Sequence, residues 1–166
     1  MVANAASVSV THQSSETNLI TYCANKAFEQ VASDLESQLG HLDQNAALSG
    51  AESLQDSVKR MEGASGLMII SVLEMDRLLP ELARSNIRSR QYLIGNPLIA
   101  DKMAKFNTLA TLFAPPRVLL FTRDGQTCIS YEKPSTTFGR LNSSEISKVA
   151  GELDEKFKEL AIQALS

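Results

Sequence analysis

Apolar residues that recur every three or four positions predict two long helices, each with one buried face. The first pattern covers residues 28–39, and Asn25 is the expected N-cap residue before it. The second begins after Asn142, which together with Glu145 resembles a capping box. Its apolar positions form one unbroken stripe: Ile146, Val149, Ala150, Leu153, Phe157, Leu160, Ala161 and Ala164.

Short runs rich in β-branched, aromatic and aliphatic residues predict five strands. They cover residues 18–23, 67–73, 90–94, 118–122 and 127–131. Asp124 and Gly125 lie between the last two runs and form a strong signal for a tight hairpin turn. The last two strands are therefore expected to be antiparallel neighbours.

The connections between these elements contain weaker helical patterns. Residues 52–62 predict a short helix inserted between the first long helix and the second strand. Asn96 and Pro97 predict a helix start, because Asn caps helices and Pro at the first helical position needs no N–H donor. Residues 41–51 and 133–141 are predicted to be polar connections.

The order of strand, helix, four strands and helix predicts an α+β fold, β-α-β4-α. Two amphipathic helices need a sheet to bury their apolar stripes, so we expect both on one face of a mostly antiparallel sheet. Residues 16–166 are predicted to form a single domain, which at this length needs no disulfide or metal to stabilise its core. Residues 1–15 are small and polar, as expected of a flexible N-terminal arm.

Charge and hydropathy exclude some classes of protein. The formal net charge is −3, which disfavours a nucleic-acid binder, since such proteins gain affinity mainly from cations on phosphates. No run approaches the roughly 20 apolar residues of a membrane span. The N-terminus has no positively charged segment of the kind found in signal peptides. We therefore expect a cytoplasmic protein.

The two cysteines, Cys23 and Cys128, each fall within a predicted strand, and neither belongs to a Cys-x-x-Cys pair. We expect two buried free thiols, with a reactive thiol as the minor alternative. The histidines, His12 and His41, have no zinc-binding spacing. No metal site and no cofactor are predicted.

Three stretches resemble the family called domain of unknown function 302: residues 92–97, 114–121 and 124–134. The resemblance extends over residues 18–164. It implies a β-α-β4-α fold of the kind seen in the TATA-binding protein, commonly as a homodimer, and it implies no reaction. Members often carry a His after the second strand, where this chain has Met75, so no metal or acid–base role of that His is expected here. The helical insertion is a second departure from the family pattern.

Several residue groups are candidates for ligand binding, each with a structural alternative. Gly95 and Asn96 could present helix N–H groups to an anion, or form a capped turn. The tips of Tyr92 and Tyr131 could face a cleft, or bond locally. Two larger groups are further candidates. Arg84, Arg88, Arg90, Arg117 and Arg123 could hold a carboxylate or phosphate, or pair with Glu74, Asp76 and Glu81. Phe106, Leu109, Leu112 and Phe113 could line a pocket, a dimer interface or ordinary core.

The favoured hypothesis is a homodimeric domain that binds a small organic or anionic ligand beside the sheet, without a catalytic constellation. One alternative is a cofactor-independent lyase, isomerase or cyclase that uses Glu74, Asp76, Arg90, Tyr92 or Tyr131. The other is a structural or partner-binding module. The predicted ligand-binding residues are Arg90, Tyr92, Gly95, Asn96, Phe106, Phe113, Arg117 and Tyr131.

Overall fold

The computed structural model describes residues 8–166, which contain one six-stranded sheet. The strands are β1 (Leu19–Ala24), β2 (Gly40–His41), β3 (Met68–Glu74), β4 (Ser89–Gly95), β5 (Arg117–Arg123) and β6 (Gln126–Glu132). Their order across the sheet is β1-β6-β5-β4-β3-β2. The pair β2–β3 is parallel and the other four pairs are antiparallel.

Nine helical segments connect or cover these strands within the described part of the chain. They are α1 (Phe28–Glu36), α2 (Gln44–Leu48), α3 (Leu54–Met61), α4 (Met75–Leu78), α5 (Pro80–Arg84), α6 (Pro97–Ala104), α7 (Ala110–Phe113), α8 (Pro134–Gly139) and α9 (Ser144–Leu165). The mixed α+β class with a mostly antiparallel sheet is thus confirmed. In residues 8–166 no helix has both the length and the apolar content to cross a membrane.

The two long helices, α1 and α9, share one face of the sheet and bury their apolar stripes there. Seven residues of α9 are buried: Ile146, Ala150, Leu153, Phe157, Leu160, Ala161 and Ala164. They pack in one core cluster with Val31 and Leu35 of α1 and with Leu120 and Ile129 of the sheet. Complete burial of each large apolar side chain contributes about 1.5–3 kcal/mol. The helical periodicity of the sequence therefore predicts the principal packing layer.

Alternation along the strands gives the sheet a second face that points away from α1 and α9. The strand register places the following residues on this face, called the open face from here on: Leu19, Thr21, Cys23, Ser89, Gln91, Leu93, Arg117, Leu119, Phe121, Arg123, Cys128, Ser130 and Glu132. Along β5, cations at both ends enclose an apolar centre of Leu119 and Phe121.

The predicted hairpin joins β5 to β6. Asp124 and Gly125 have φ angles of 51° and 77°, and Arg123 pairs with Gln126 across the turn. Two successive positive φ angles match the right-handed twist of the flanking strands, which is why Asp-Gly is favoured at this position.

Both predicted N-caps of the long helices are wrong by one or two residues. Asn25 does not cap α1, because the chain bends at Asn25 and Lys26 and the helix begins only after Ala27, whose side chain makes no cap. Thr127 Oγ1 donates to the Lys26 carbonyl at 2.6 Å. For α9 the cap is Ser143, whose Oγ accepts the N–H of Ile146. Asn142 instead has a φ of 52° and bonds through its N–H to Gly139.

Two connections predicted to be polar links contain regular structure. Residues 41–51 include the end of β2 and all of α2, and residues 133–141 include α8. The inserted segment around α3 is firmly packed, since Val58 is fully buried. The backbones at Gly40 and Gly63 approach so closely that a Cβ on Gly40 would overlap the Met61 carbonyl oxygen. Both positions therefore require glycine.

The prediction of two free thiols is wrong, because Cys23 and Cys128 form a disulfide. Cys23 on β1 pairs directly with Cys128 on β6, and their Cα atoms are 4.1 Å apart. The two cysteines are separated by 105 positions in the sequence. Only the antiparallel pairing of β1 with β6 brings them together, and the sequence contained no signal for that pairing.

Candidate functional site

Two of the candidate arginines, Arg88 and Arg90, lie on the helix-covered side of the sheet and are paired with carboxylates. Arg88 bonds Asp76 at 2.8 Å and Glu29 at 2.6 Å. Arg90 bonds Glu74 at 2.9 Å and Glu29 at 3.0 Å. Both guanidinium groups also stack over the Phe28 ring, with Cζ 4.6 and 5.3 Å from its centroid.

These pairs shift the pKa values of their members in directions that stabilise the charged forms. Burial lowers the pKa of Arg90, but its interactions with Glu74 and Tyr92 outweigh burial and the pKa is raised. The hydrogen bond from Arg88 lowers the pKa of Glu29. Such mutual satisfaction leaves these arginines poorly placed to bind an external anion. This corresponds to the ion-pair alternative considered for Arg88 and Arg90.

The two predicted tyrosines also use their side chains inside the fold. Tyr92 is fully buried and donates its O–H to Glu36 Oε1 at 2.8 Å, and burial raises its pKa. Tyr131 stacks with Tyr22 and contacts Phe157, with ring centroids 6.4 and 5.4 Å apart. Burial likewise raises the pKa of Tyr131. Both phenols therefore stay protonated at neutral pH.

Gly95 and Asn96 adjoin a small apolar cavity of about 220 Å³ between the end of the sheet, α6 and α9. Asn96 Oδ1 accepts the N–H of Leu98, as expected of an N-cap. Its Nδ2 donates to Glu62 Oε1 at 2.6 Å and to the Gly66 carbonyl at 2.9 Å. The side chain of Asn96 is therefore engaged in joining α6 to the segment that precedes β3.

A larger groove of about 820 Å³ lies on the open face. Its floor is formed by β1, β6, β5 and β4 and includes Leu93, Leu119 and Phe121, and its end wall includes Phe113 and Pro116. This volume is within the range of about 300–1,000 Å³ typical of small-molecule sites, whereas the 220 Å³ cavity is below it. We refer to the larger space as the open-face groove.

Three polar groups of the open-face groove have unused bonding capacity. Arg117 and Arg123 lie at the two ends of β5, and neither has a carboxylate within 4.0 Å among residues 8–166, although Glu132 neighbours Arg117 on the next strand. In the same part of the chain, Thr137 Oγ1 is buried without a hydrogen-bond partner. Thr137 lines the groove from α8, which directly follows β6 and so stands at the Arg117 end. A buried hydroxyl without a partner is costly, and an anionic or carbonyl group of a ligand would satisfy it.

The apolar residues of the α6–α7 region divide into two groups. Phe113 packs edge-to-face on Phe138 and lines the groove. Phe106, Leu109 and Leu112 are instead exposed, by 49%, 55% and 73%. These three residues therefore do not belong to the hydrophobic core, which was one of the alternatives for this group.

Of the predicted site residues, the structure brings Phe113 and Arg117 together at the α8 end of the open-face groove. Tyr131 also borders the groove, but its ring packs on Tyr22 and Phe157. Arg90 and Tyr92 belong to the ion-pair network, Gly95 and Asn96 to the small cavity, and Phe106 to the surface. Sequence reasoning did not identify Leu119, Phe121 or Thr137. The alternation of Arg, Leu, Phe and Arg along β5 could have revealed the first two. Thr137 could not be found because its segment was predicted to be a loop.

The fold and groove define a small α+β domain with two long helices on one face of its sheet and a partly polar groove on the other. Within residues 8–166 no three His, Cys, Asp or Glu side chains are grouped so that they could hold a metal ion. The chain belongs to the family described as domain of unknown function DUF302, whose model matches residues 46–164.

A crystal structure of an uncharacterised conserved DUF302 protein from Bacillus stearothermophilus is similar in fold, with a TM-score of 0.64. The alignment covers 88% of this chain and 97% of that one at 15% sequence identity. None of the curated proteins compared with this chain matches it.

Proposed function

We propose that this domain binds a small organic anion in the open-face groove, with the acidic group of the ligand at Arg117 and its apolar body over Leu119 and Phe121. The observation that carries the proposal is the combination of an apolar floor with an arginine that has no carboxylate within 4.0 Å in residues 8–166. Pockets of this kind typically combine mainly apolar walls with a few polar groups that orient the ligand.

The position of Thr137 also favours placing the acidic group of the ligand at the Arg117 end of the groove. Its buried hydroxyl could donate to a carboxylate or sulfonate oxygen that also accepts from Arg117. Charge-assisted hydrogen bonds of this type contribute about 1.5–3 kcal/mol when they are shielded from water.

The test uses 8-anilinonaphthalene-1-sulfonate, which combines an aromatic body with one anionic group. We expect saturable binding of one molecule per chain, and an affinity about tenfold weaker in Arg117→Gln, since tenfold corresponds to 1.4 kcal/mol. Arg77→Gln removes the same charge from an exposed residue of α4 that does not line the groove, and it serves as the control. Equal affinities in the two variants, or fluorescence that never saturates, would refute the proposal.

An enzymatic role has less support in this geometry. The carboxylates that a cofactor-independent lyase, isomerase or cyclase would use are already paired, Asp76 with Arg88 and Glu74 with Arg90. Tyr92 is bonded to Glu36. Binding without turnover is therefore the function that the groove supports best. The cytoplasmic location expected from the sequence remains a prediction, which cell fractionation would test.

A second proposal is self-association, which the family resemblance implies and the exposure of Phe106, Leu109 and Leu112 favours. We expect sedimentation equilibrium to give twice the mass of the chain, and Leu112→Glu to give the monomer mass. Leu48→Glu, at an equally exposed leucine of α2, is the matched control and should leave the dimer intact. A wild-type chain that sediments as a monomer at high micromolar concentration would contradict this proposal.

A further inference from the structure

The Cys23–Cys128 disulfide joins two sulfurs in very different surroundings. Cys23 lies on β1, which is an edge strand of the sheet, and its side chain is partly exposed. Cys128 lies on the interior strand β6 and is fully buried. A reagent that approaches from solvent therefore meets the sulfur of Cys23 first.

A cation also lies beside the accessible sulfur. Arg123 donates from Nη2 to Cys23 Sγ at 3.6 Å. Apart from Arg123, the neighbours that the strand register gives the pair on this face of β1, β6 and β5 are uncharged: Thr21, Gln126, Ser130 and Phe121. Because a guanidinium group favours the thiolate over the thiol, Arg123 would stabilise Cys23 as the anion once the disulfide opens.

We propose that Cys23–Cys128 is a thiol–disulfide exchange site for small organic thiols, in which Cys23 is the sulfur that is attacked. The proposal goes beyond ligand binding and does not require an occupied groove. It rests on the unequal access to the two sulfurs and on the contact between Arg123 and Cys23.

The exchange proceeds in two balanced steps. The thiolate of a small thiol attacks Cys23 Sγ, the bond to Cys128 breaks, and Cys128 Sγ keeps the electron pair and takes a proton. A second thiolate then attacks the small-molecule sulfur of the mixed disulfide, and Cys23 leaves as a thiolate beside Arg123. The protein disulfide gains two electrons, and two small thiols are oxidised to one disulfide. The reverse direction uses that small disulfide as the oxidant.

The first experiment equilibrates the full chain with reduced and oxidised glutathione without denaturant. Acid quenching, alkylation and mass measurement then give the reduced fraction. We expect complete and reversible reduction by millimolar glutathione with an unchanged far-UV circular dichroism spectrum, and a trapped mixed disulfide on Cys23 alone. A bond that opens only after the protein is unfolded in denaturant, or glutathione found on Cys128, would overturn the proposal.

The second experiment measures the rate at which iodoacetamide alkylates each cysteine of the reduced native protein at pH 7. We expect Cys23 to react at least tenfold faster than Cys128, and Arg123→Gln to slow Cys23 about tenfold. Arg123→Lys should restore most of the rate, and Arg77→Gln should leave it unchanged. Equal rates for the two cysteines would overturn the proposal that Cys23 is the reactive sulfur. An Arg123→Gln rate equal to that of the wild type would overturn the assigned role of Arg123.

Discussion

Arg90 of β4 and Arg117 of β5 lie on adjacent strands, but on opposite faces of the sheet. Arg90 is 15% exposed and bonds Glu29 and Glu74, whereas Arg117 is exposed and has no carboxylate within 4.0 Å in the described residues. The difference arises from α1, which brings Glu29 over the covered face only. The face of the sheet that each arginine occupies thus decides its role: Arg90 pairs with carboxylates inside the fold, and Arg117 can contact a ligand.

The same contrast applies to the apolar residues. Phe157 of α9 is buried against the covered face, while Phe121 of β5 is partly exposed in the open-face groove. A core phenylalanine excludes water and fills volume at once. A groove phenylalanine leaves one side available to a ligand. The covered face should therefore dominate stability and the open face should dominate binding.

The largest expected loss of stability comes from truncating Phe157, and the matched truncation of Phe121 should cost much less. Phe157→Ala should lower the free energy of unfolding by about 3–5 kcal/mol, because it leaves a cavity in the core. Phe121→Ala should lower it by only about 1 kcal/mol, since the ring is partly hydrated in the folded state. Urea denaturation of both variants provides the measurement. Similar losses in the two variants would mean that the open face is covered in solution, for example by a second copy.

The second-largest expected loss of stability comes from replacing Arg90, compared with replacing Arg117. Arg90→Met should cost about 2 kcal/mol, because Glu29 and Glu74 lose a largely buried partner. The cost stays below that of a fully buried pair, since Glu29 itself is 59% exposed. Arg117→Met should change stability by less than about 0.5 kcal/mol. The comparison of the two faces would fail if the two variants lost equal amounts of stability in thermal or urea unfolding.

The covered face was largely predictable from the sequence, because periodicity depends only on spacing. The stripe from Ile146 to Ala164 predicts α9, and Asp124-Gly125 predicts the hairpin that joins β5 to β6. Cap positions were less predictable. Asn142 and Ser143 are both good cap residues, and only the turn after α8 decides between them.

The candidate site was mostly not predictable from the sequence, because it depends on which strands are neighbours. Arg90 and Arg117 look alike in sequence, and their different roles follow from the face that each residue occupies. The disulfide requires that β1 pair with β6, a contact across 105 positions of the chain. Local patterns predict single elements and hairpins well, but they contain little information on such distant pairings.

The smallest expected effect is a pH-dependent contribution to stability from the ion pairs of Arg88 on the covered face. The hydrogen bond from Arg88 lowers the pKa of Glu29. Burial raises the pKa of Asp76, but the hydrogen bond and the positive charge of Arg88, together with the nearby Ser89 backbone, outweigh it, so this pKa is lowered as well. A carboxylate with a lowered pKa in the folded state adds stability above its unfolded pKa, about 4, and loses that contribution as the pH falls.

Arg88→Gln should therefore be less stable than the wild type by about 1 kcal/mol at most at pH 7, since its pairs are partly exposed. The difference should persist down to about pH 5 and shrink as the pH falls below about 4, where the wild type loses the same pairs. Arg84→Gln, which removes an exposed pair with Glu81 on α5, is the control and should differ little from the wild type at any pH. Urea unfolding at several pH values between 2.5 and 7 gives the measurement. A deficit of Arg88→Gln that stays the same down to pH 2.5 would mean that Arg88 stabilises the fold through its stacking on Phe28 rather than through its pairs with Glu29 and Asp76.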